Sequence, residues 1–393
     1  MPGAADKALI FEKPGHQGPG THVLLIGIGN YPSLLGGSKA NEAIAEGMEQ
    51  VASPPRSARA LADWLIDGNF RNPEKPLASV SLLLSEKTVS DYRGKKVPRG
   101  TIADIEKAIA AWIERASTDP ENQVIFFFAG HGVSAPSIQL LVRDYGDNPH
   151  NRFAGALNFS SFRAAMANKV PGYQLFLIDA CRSPDSLARA VRESNEVGRN
   201  VLTPETYRAG GAANQSVHHG AAPLGTAYGA TEGLGIYTQA IIRALSGGGA
   251  QADIRWWVGT SGLDTALSAY TIRLASKLGL KQVPERLAGV NFKIHEPARP
   301  LQVPVYVSCA PETVWRERIH FEARVGEQVS GEHVHDPAVD PDSEEWSLTV
   351  PYREHLLSAK FDQAAPFEDV VDEVLMVGLP ETAIELTISE KQP

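Results

Sequence analysis

Two apolar segments, each followed by one chemically reactive side chain, constrain this chain more than any other feature. Residues 123–130 (QVIFFFAG) precede His131, and residues 174–180 (QLFLIDA) precede Cys181. Continuous apolar runs of this length are typical of central strands in a parallel sheet. Because the carboxyl ends of parallel strands meet at one edge of the sheet, we expect the two side chains to converge there. A thiol beside an imidazole is the smallest unit that supports catalysis by a cysteine nucleophile.

The first 295 residues alternate between strand-like and helix-like segments. This alternation predicts an α/β fold, in which a mostly parallel sheet carries helices on both faces. Thr101 and Asp104 have the spacing of a helix capping box. We predict strands at residues 23–28, 80–84, 124–128, 174–178 and 226–230, and helices at 57–66, 101–116 and 263–280.

The pattern of apolar and polar residues changes near residue 296. Residues 296–393 contain several short segments that alternate apolar and polar side chains, with little helical periodicity. This pattern predicts a small all-β C-terminal domain of the sandwich type, with the acidic residues 336–345 in a solvated loop. Residues 1–20 are rich in Gly and Pro and are expected to form a flexible arm. The predicted domains are therefore 1–20, 21–295 and 296–393.

Composition excludes several classes of protein. The chain has 393 residues and a net charge of −9, which argues against a nucleic-acid-binding surface. It has no signal-peptide pattern and no apolar run long enough to cross a membrane, so we expect a cytoplasmic protein. The two cysteines, Cys181 and Cys309, fall in different predicted domains. Reduced thiols are therefore expected, and these also suit a cytosolic setting.

Five motifs occur in the order typical of one known family. They are HVLLIGIGNYP at 22–32, AGHG at 129–132, DACRS at 179–183, ATEGLGIYTQAIIRAL at 230–245 and KQVPERL at 281–287. With His131 placed 50 residues before Cys181, the chain resembles the caspase/metacaspase superfamily. The resemblance covers residues 23–287. It implies a caspase-haemoglobinase-like fold and a cysteine endopeptidase of prokaryotic type.

The resemblance also assigns roles to the residues around His131 and Cys181. Cys181 would be the nucleophile and His131 the general acid and base. The backbone N–H groups of Gly132 and Cys181 would form the oxyanion hole. Gly130 and Gly132 allow the tight turn and the close approach of substrate that such a site needs. Taken alone, a cysteine is often a buried apolar residue and a histidine is often structural.

Asp179, two residues before Cys181, is the candidate for substrate selection. In metacaspases the matching aspartate lines the S1 pocket, so the resemblance implies cleavage after Arg or Lys. A buried carboxylate can form a charge-assisted, bidentate pair with a guanidinium. The competing interpretation is an aspartate that anchors a loop through its own backbone hydrogen bonds.

Two positions depart from the metacaspase pattern. Ala129 stands where the family has a serine that lines S1. The family's Asn-Asp pair after the first strand has two candidate matches. One match is Asn41-Glu42, which makes Glu42 a second acidic S1 residue. The other is Arg56-Ser57, which leaves S1 without that second carboxylate.

Residues 182–224 form a long polar stretch that corresponds to the intersubunit linker of caspases. It contains Arg192, Arg199 and Arg208, which are candidate self-cleavage sites for an enzyme that cuts after basic residues. Self-cleavage of this kind would make the chain a zymogen. The alternatives are an ordinary flexible insertion, or a loop moved by an effector bound at the C-terminal domain.

No cofactor is expected. Asp144, Asp147 and Asp185 are too scattered to indicate a calcium site, and the histidines lack metal-ligand spacing. Trp256 and Trp257 could wall a substrate pocket or pack in the core. The expected partners are protein or peptide substrates and a regulatory partner at the C-terminal β domain. Bacterial relatives of this type suggest regulated proteolysis or defence.

Two other functional classes compete with a peptidase. One is a catalytically silent scaffold with the caspase fold. The other is a nucleotide-binding α/β protein, which is disfavoured because GIGNYP at 27–32 lacks the glycine spacing of a phosphate loop.

Overall fold

The computed structural model describes residues 6–134, 137–181, 197–202, 213–222, 225–229, 233–253 and 255–392. Its centre is a seven-stranded sheet with the order β1-β3-β2-β6-β10-β11-β14. The five middle strands run parallel, and both edge strands are antiparallel to their neighbours. The strands before residue 300 are β1 (Leu9–Glu12), β2 (Thr21–Ile28), β3 (Leu77–Ser85), β4 (Asp91–Tyr92), β5 (Lys95–Lys96), β6 (Gln123–Gly130), β7 (Gly132–Ser134), β8 (Ile138–Leu141), β9 (Ala156–Asn158), β10 (Tyr173–Ala180), β11 (Asn214–His219), β12 (Ala250–Gln251), β13 (Trp257–Gly259), β14 (Glu285–Gly289) and β15 (Lys293–His295).

Helices cover both faces of this sheet, as the sequence pattern predicts. They are α1 (Glu42–Ala45), α2 (Ser53–Trp64), α3 (Ile102–Ala116), α4 (Phe159–Met166), α5 (Ile236–Arg243) and α6 (Thr260–Ser276). One apolar core lies between the sheet and α3 and α4, and the other lies under α2, α5 and α6. The capping box predicted at Thr101 and Asp104 is confirmed at the start of α3. The α/β class is therefore confirmed.

The C-terminal part folds into two β-sheets that share an apolar core. One sheet has the order β19-β16-β22 and the other the order β18-β17-β20-β21. Trp315, Phe321 and Trp346 are among the large side chains buried between them. The strands are β16 (Gln302–Ala310), β17 (Ile319–Val325), β18 (Gln328–His335), β19 (Trp346–Pro351), β20 (Glu354–Phe361), β21 (Val370–Met376) and β22 (Thr382–Thr387).

Two local predictions are wrong. Near residues 226–230, the described part contains only an isolated bridge between Gly229 and Gly235. The strand beside β10 is instead β11, within the stretch that was predicted to be a loop. Its sequence NQSVHH looks polar, but Ser216 and His218 are buried and hydrogen-bond each other at 2.8 Å. Polar groups that satisfy each other this way hide a central strand from a hydrophobicity pattern.

The N-terminal arm is also partly ordered, contrary to prediction. Residues 9–12 form β1, which pairs with β3 at the edge of the sheet. Asp6 anchors the segment through an ion pair of 2.8 Å with Arg115. Across the described ranges of the chain, no helix is long and apolar enough to span a membrane.

Candidate active site

The pairing of β6 with β10 determines where His131 and Cys181 lie. Gly130 is paired with Ala180 at the last position of this parallel ladder. His131 and Cys181 are therefore each the first residue beyond the paired ends of neighbouring strands. A Cβ on Gly132 would lie 2.6 Å from the carbonyl oxygen of Cys181, so only glycine allows the two chain segments to approach this closely. The register thus brings both predicted catalytic residues to the same edge.

Two hydrogen bonds hold His131, one through its imidazole and one through its backbone. Its Nε2 lies 2.7 Å from the backbone oxygen of Glu49, and its backbone N–H donates to the hydroxyl of Tyr31 at 2.9 Å. A carbonyl oxygen can only accept, so Nε2 carries the proton and Nδ1 is the basic nitrogen. Sequence reasoning identified no third member for the His/Cys pair. The carbonyl of Glu49 is the group that hydrogen-bonds the imidazole, and no side-chain motif could have indicated it.

Tyr31 belongs to the GIGNYP motif and packs against the imidazole. The two ring centroids are 5.0 Å apart. Its hydroxyl also donates to the backbone oxygen of Leu141 at 3.3 Å. Gly130 has a φ of +157°, and a Cβ there would lie 2.7 Å from this hydroxyl. The glycine before His131 therefore makes room for the tyrosine that holds the histidine backbone.

The protonation states of the pair follow from burial. Burial lowers the pKa of His131, although the hydrogen bond to Glu49 opposes this effect. Burial also raises the pKa of the Cys181 thiol, an effect partly offset by a hydrogen bond from Ala227. Both groups are therefore mainly uncharged near neutral pH. An uncharged pair requires the histidine to remove the thiol proton during attack, since the thiolate is the nucleophile.

The segment 225–229 lies against the thiol. Sγ of Cys181 accepts the backbone N–H of Ala227 at 3.3 Å and lies 3.4 Å from the oxygen of the same residue. The two contacts place the backbone of Ala227 beside the sulfur. A substrate backbone that reaches the thiol must therefore displace Ala227 from it.

Asp179 is buried in a small cavity next to this segment. Its carboxylate accepts a hydrogen bond of 2.6 Å from the hydroxyl of Thr238 on α5. Burial raises its pKa to about 6, against the opposing effect of that hydrogen bond. The cavity is lined by Val51, Ser53, Pro54, Ser57, Ala129, Gly130, Asp179, Ala227, Tyr228, Gly229 and Gly235.

This cavity is small in the present conformation. Its volume is about 30 Å³, which is room for one or two water molecules. Ser57 lies inside it and accepts the backbone N–H of Gly235 at 2.9 Å. Glu42 does not line it and is instead an exposed residue at the start of α1. The lining therefore favours the register in which Arg56-Ser57 takes the place of the family's Asn-Asp pair.

A caspase domain model matches residues 21–308, which is well over half of the chain. The chain belongs to the caspase domain family. The match ends within β16, the first strand of the C-terminal sheets.

Two further comparisons place this caspase-domain chain among known proteins. The uncharacterized protein y4kE of Sinorhizobium fredii (strain NBRC 101917 / NGR234) is 26% identical in an alignment of 206 residues that covers 48% of this chain. The match spans 58% of the length of that relative. The crystal structure of caspase-1 from Spodoptera frugiperda is 13% identical, with a TM-score of 0.41. That alignment covers 72% of this chain and 92% of the insect chain.

Arg199 is the candidate cleavage site of this caspase-domain chain that lies within the described residues. Arg192 and Arg208 lie outside the described residues. Arg199 donates its backbone N–H to Ala156 at 2.7 Å, and its carbonyl accepts the N–H of Asn158 at 3.0 Å. Its guanidinium pairs with Glu106 at 3.0 Å. Cleavage after Arg199 would therefore require this bridge to open first.

The other acidic candidates are engaged in ordinary contacts. Asp144 accepts the backbone N–H of Ile102 at 2.9 Å, and Asp147 pairs with Lys39 at 3.2 Å. Asp185 lies outside the described residues. Within the part of the chain that the structure describes, no group of three His, Cys, Asp or Glu residues could hold a metal ion.

The two tryptophans lie away from the cavity at Asp179. Trp256 packs edge-on against Tyr352 of the C-terminal sheets, with ring centroids 5.1 Å apart. Trp257 begins β13 and pairs with Gln251. Both side chains are half-buried, Trp256 packs against the apolar core, and neither lines the cavity at Asp179.

Proposed function

We propose that this protein is a cysteine endopeptidase that uses Cys181 as its nucleophile and His131 as its general base. One observation carries the proposal. The two residues follow directly on the paired ends of β6 and β10, and the imidazole is held with Nδ1 as its basic nitrogen. A base and a thiol at neighbouring strand ends are the arrangement from which nucleophilic catalysis by cysteine can proceed, and this supports the proposal.

The proposed reaction proceeds in two stages. The thiol gives its proton to Nδ1 of His131 as sulfur forms a bond to the scissile carbonyl carbon. Backbone N–H groups of Gly132 and Cys181 stabilise the oxyanion that develops. His131 then gives the proton to the departing amine, which leaves a thioester on Cys181. Water hydrolyses the thioester, with His131 again as the base, and the thiol is regenerated.

The proposed specificity is for Arg or Lys at P1. Asp179 is the buried carboxylate of the cavity beside Cys181. A guanidinium or ammonium in that cavity would favour the ionised carboxylate and form a charge-assisted pair. Since the cavity is small, substrate binding must move the segment 225–229 away from Cys181 and Asp179. Such a resting state agrees with regulated proteolysis, and reduced thiols agree with a cytoplasmic location.

Profiling on a peptide library with varied P1 tests this function. Wild type should cleave after Arg or Lys, while Cys181→Ala and His131→Ala should each lower kcat by several orders of magnitude, because the two residues act as a unit. Cys309→Ala is the matched control, since it removes the other cysteine from a site far from the chemistry. Equal turnover in Cys181→Ala and Cys309→Ala would disprove the nucleophile. A wild type that binds partners but cleaves no peptide would instead indicate a silent scaffold.

A further inference from the structure

A second cavity, separate from the one at Asp179, lies where the helices meet the C-terminal sheets. It has a volume of about 470 Å³, within the range of small-molecule sites in proteins. The ends of α5 and α6 form one wall, and β16 and β19 form the other. The lining residues are Arg243, Ser246, Tyr270, Arg273, Leu274, Lys277, Gln302, Pro304, Tyr306, Ser347, Leu348 and Thr349.

The charges that line this junction cavity are all positive. Arg243, Arg273 and Lys277 contribute three cations, and no carboxylate is among the lining residues that the structure describes. Glu345 contacts Arg273 at 3.1 Å and Lys277 at 2.8 Å, and Glu381 contacts Arg273 at 2.8 Å. Both glutamates line a neighbouring cavity on another side of α6. Two carboxylates against three cations leave one positive charge in excess, in a chain whose net charge is −9.

Arg243 is the source of that excess. It is the last residue of α5, and it makes no ion pair within the described ranges of the chain. Its positive charge lowers the pKa of both Tyr270 and Tyr306, although burial raises the two values more strongly. Arg243 lines the cavity together with both tyrosines, and the Glu381 carboxylate raises the same two pKa values.

Hydroxyl groups complete the lining. The Oγ atom of Ser246 accepts the indole N–H of Trp64 at 3.0 Å, so its own hydrogen is free to donate. Ser347 and Thr349 are exposed residues of β19 that line the opposite wall. The Tyr306 ring is held by Arg273, whose guanidinium lies 3.8 Å from the ring centroid. The cavity thus offers many hydrogen-bond donors and cations, with no acidic group among the described residues of its lining.

We propose that this junction cavity binds a small phosphate-bearing anion. Phosphate oxygens accept several charge-assisted hydrogen bonds at once, and arginine guanidinium groups match their geometry. A carboxylate ligand would use fewer of the donors that converge here. The volume accommodates an organic phosphate of nucleotide size as well as the free ion. The site is distinct from the proposed peptidase centre and does not depend on its activity.

Calorimetric titration of the full chain with inorganic phosphate, pyrophosphate and ATP, at matched ionic strength, tests the proposal. Saturable binding of at least one compound is expected for the wild type. Arg243→Gln should weaken it ~10-fold or more, because one charge-assisted contact is lost. Arg318→Gln, an exposed arginine of the C-terminal sheets outside this cavity, is the matched control and should bind like the wild type.

A second variant protects the test against misfolding. Ser347→Asp places a carboxylate on an exposed strand position of the cavity wall and should abolish binding. Two results would overturn the proposal. In the first, the wild type shows no saturable binding of any of the three compounds up to ~10 mM, since a dissociation constant above that concentration is too weak for a specific site. The other is equal weakening in Arg243→Gln and Arg318→Gln, which would indicate general attraction to positive charge.

Discussion

Replacing Asp179 with asparagine should change how stability depends on pH. Burial raises the pKa of Asp179 from 3.8 to about 6 in the folded protein. A raised carboxyl pKa means that the folded state binds the proton more tightly than the unfolded state. Protonated Asp179 therefore contributes to the free energy of unfolding. This contribution is fully present below pH 3.8, declines between pH 3.8 and 6, and is lost above pH 6. At about 1.4 kcal/mol per pKa unit, the full effect is about 3 kcal/mol.

Asparagine does not ionise, so Asp179→Asn should gain stability relative to wild type as the pH rises. Between pH 4.5 and 7.5 the relative gain should be about 2 kcal/mol. Urea unfolding of both proteins at several pH values measures it, and Asp342→Asn in the exposed acidic loop controls for the loss of one negative charge. A difference between wild type and Asp179→Asn that does not vary with pH would refute the argument from burial. The same variant should lower kcat/KM for arginyl substrates by about 10- to 100-fold, because a charge-assisted pair is lost.

Three further outcomes are expected around the proposed catalytic pair. Tyr31→Phe removes the hydroxyl that holds the His131 backbone, so kcat should fall about 10-fold at unchanged KM, with about 1–3 kcal/mol of stability lost. Alkylation by iodoacetamide should modify Cys181 alone, since burial raises the pKa of Cys309 to about 12. Because burial also raises the pKa of Cys181, its thiolate fraction and the alkylation rate should increase about tenfold per pH unit from pH 7.5 to 8.5. Mass spectrometry that finds a pH-independent rate would contradict this. N-terminal sequencing should find fragments in wild type that are missing from Cys181→Ala. Arg199→Gln should leave the first cleavage sites unchanged, because the backbone of residue 199 is hydrogen-bonded to Ala156 and Asn158.

The sequence was sufficient to predict four of the five parallel strands, β2, β3, β6 and β10, and to place His131 and Cys181 directly after two of them. The run at residues 123–130 indicates a buried strand because it is short, rich in aromatic and β-branched residues, and ends at a glycine. The capping box at Thr101 was predictable because it depends on residues within a single helical turn. In each case the signal is local in sequence.

The features that sequence reasoning missed depend on contacts between distant residues. β11 can be buried because the side chains of Ser216 and His218 hydrogen-bond each other. A hydrophobicity pattern cannot reveal such a pair. Both Glu42 and Ser57 were reasonable matches to one family position, and only the packing of α2 beside Asp179 separates them. The acceptor at Glu49 is a backbone atom, so the identity of its side chain carries no information about it.

That backbone acceptor has a consequence for genetics. The oxygen that orients His131 belongs to the main chain, so every amino acid at position 49 supplies it. A scan of single substitutions should therefore find this position tolerant, even though it contacts the proposed catalytic base. A one-residue deletion or insertion among the neighbouring loop residues 46–51 would instead move the carbonyl. Variation in loop length, more than variation in side chains, is what natural selection would act against here.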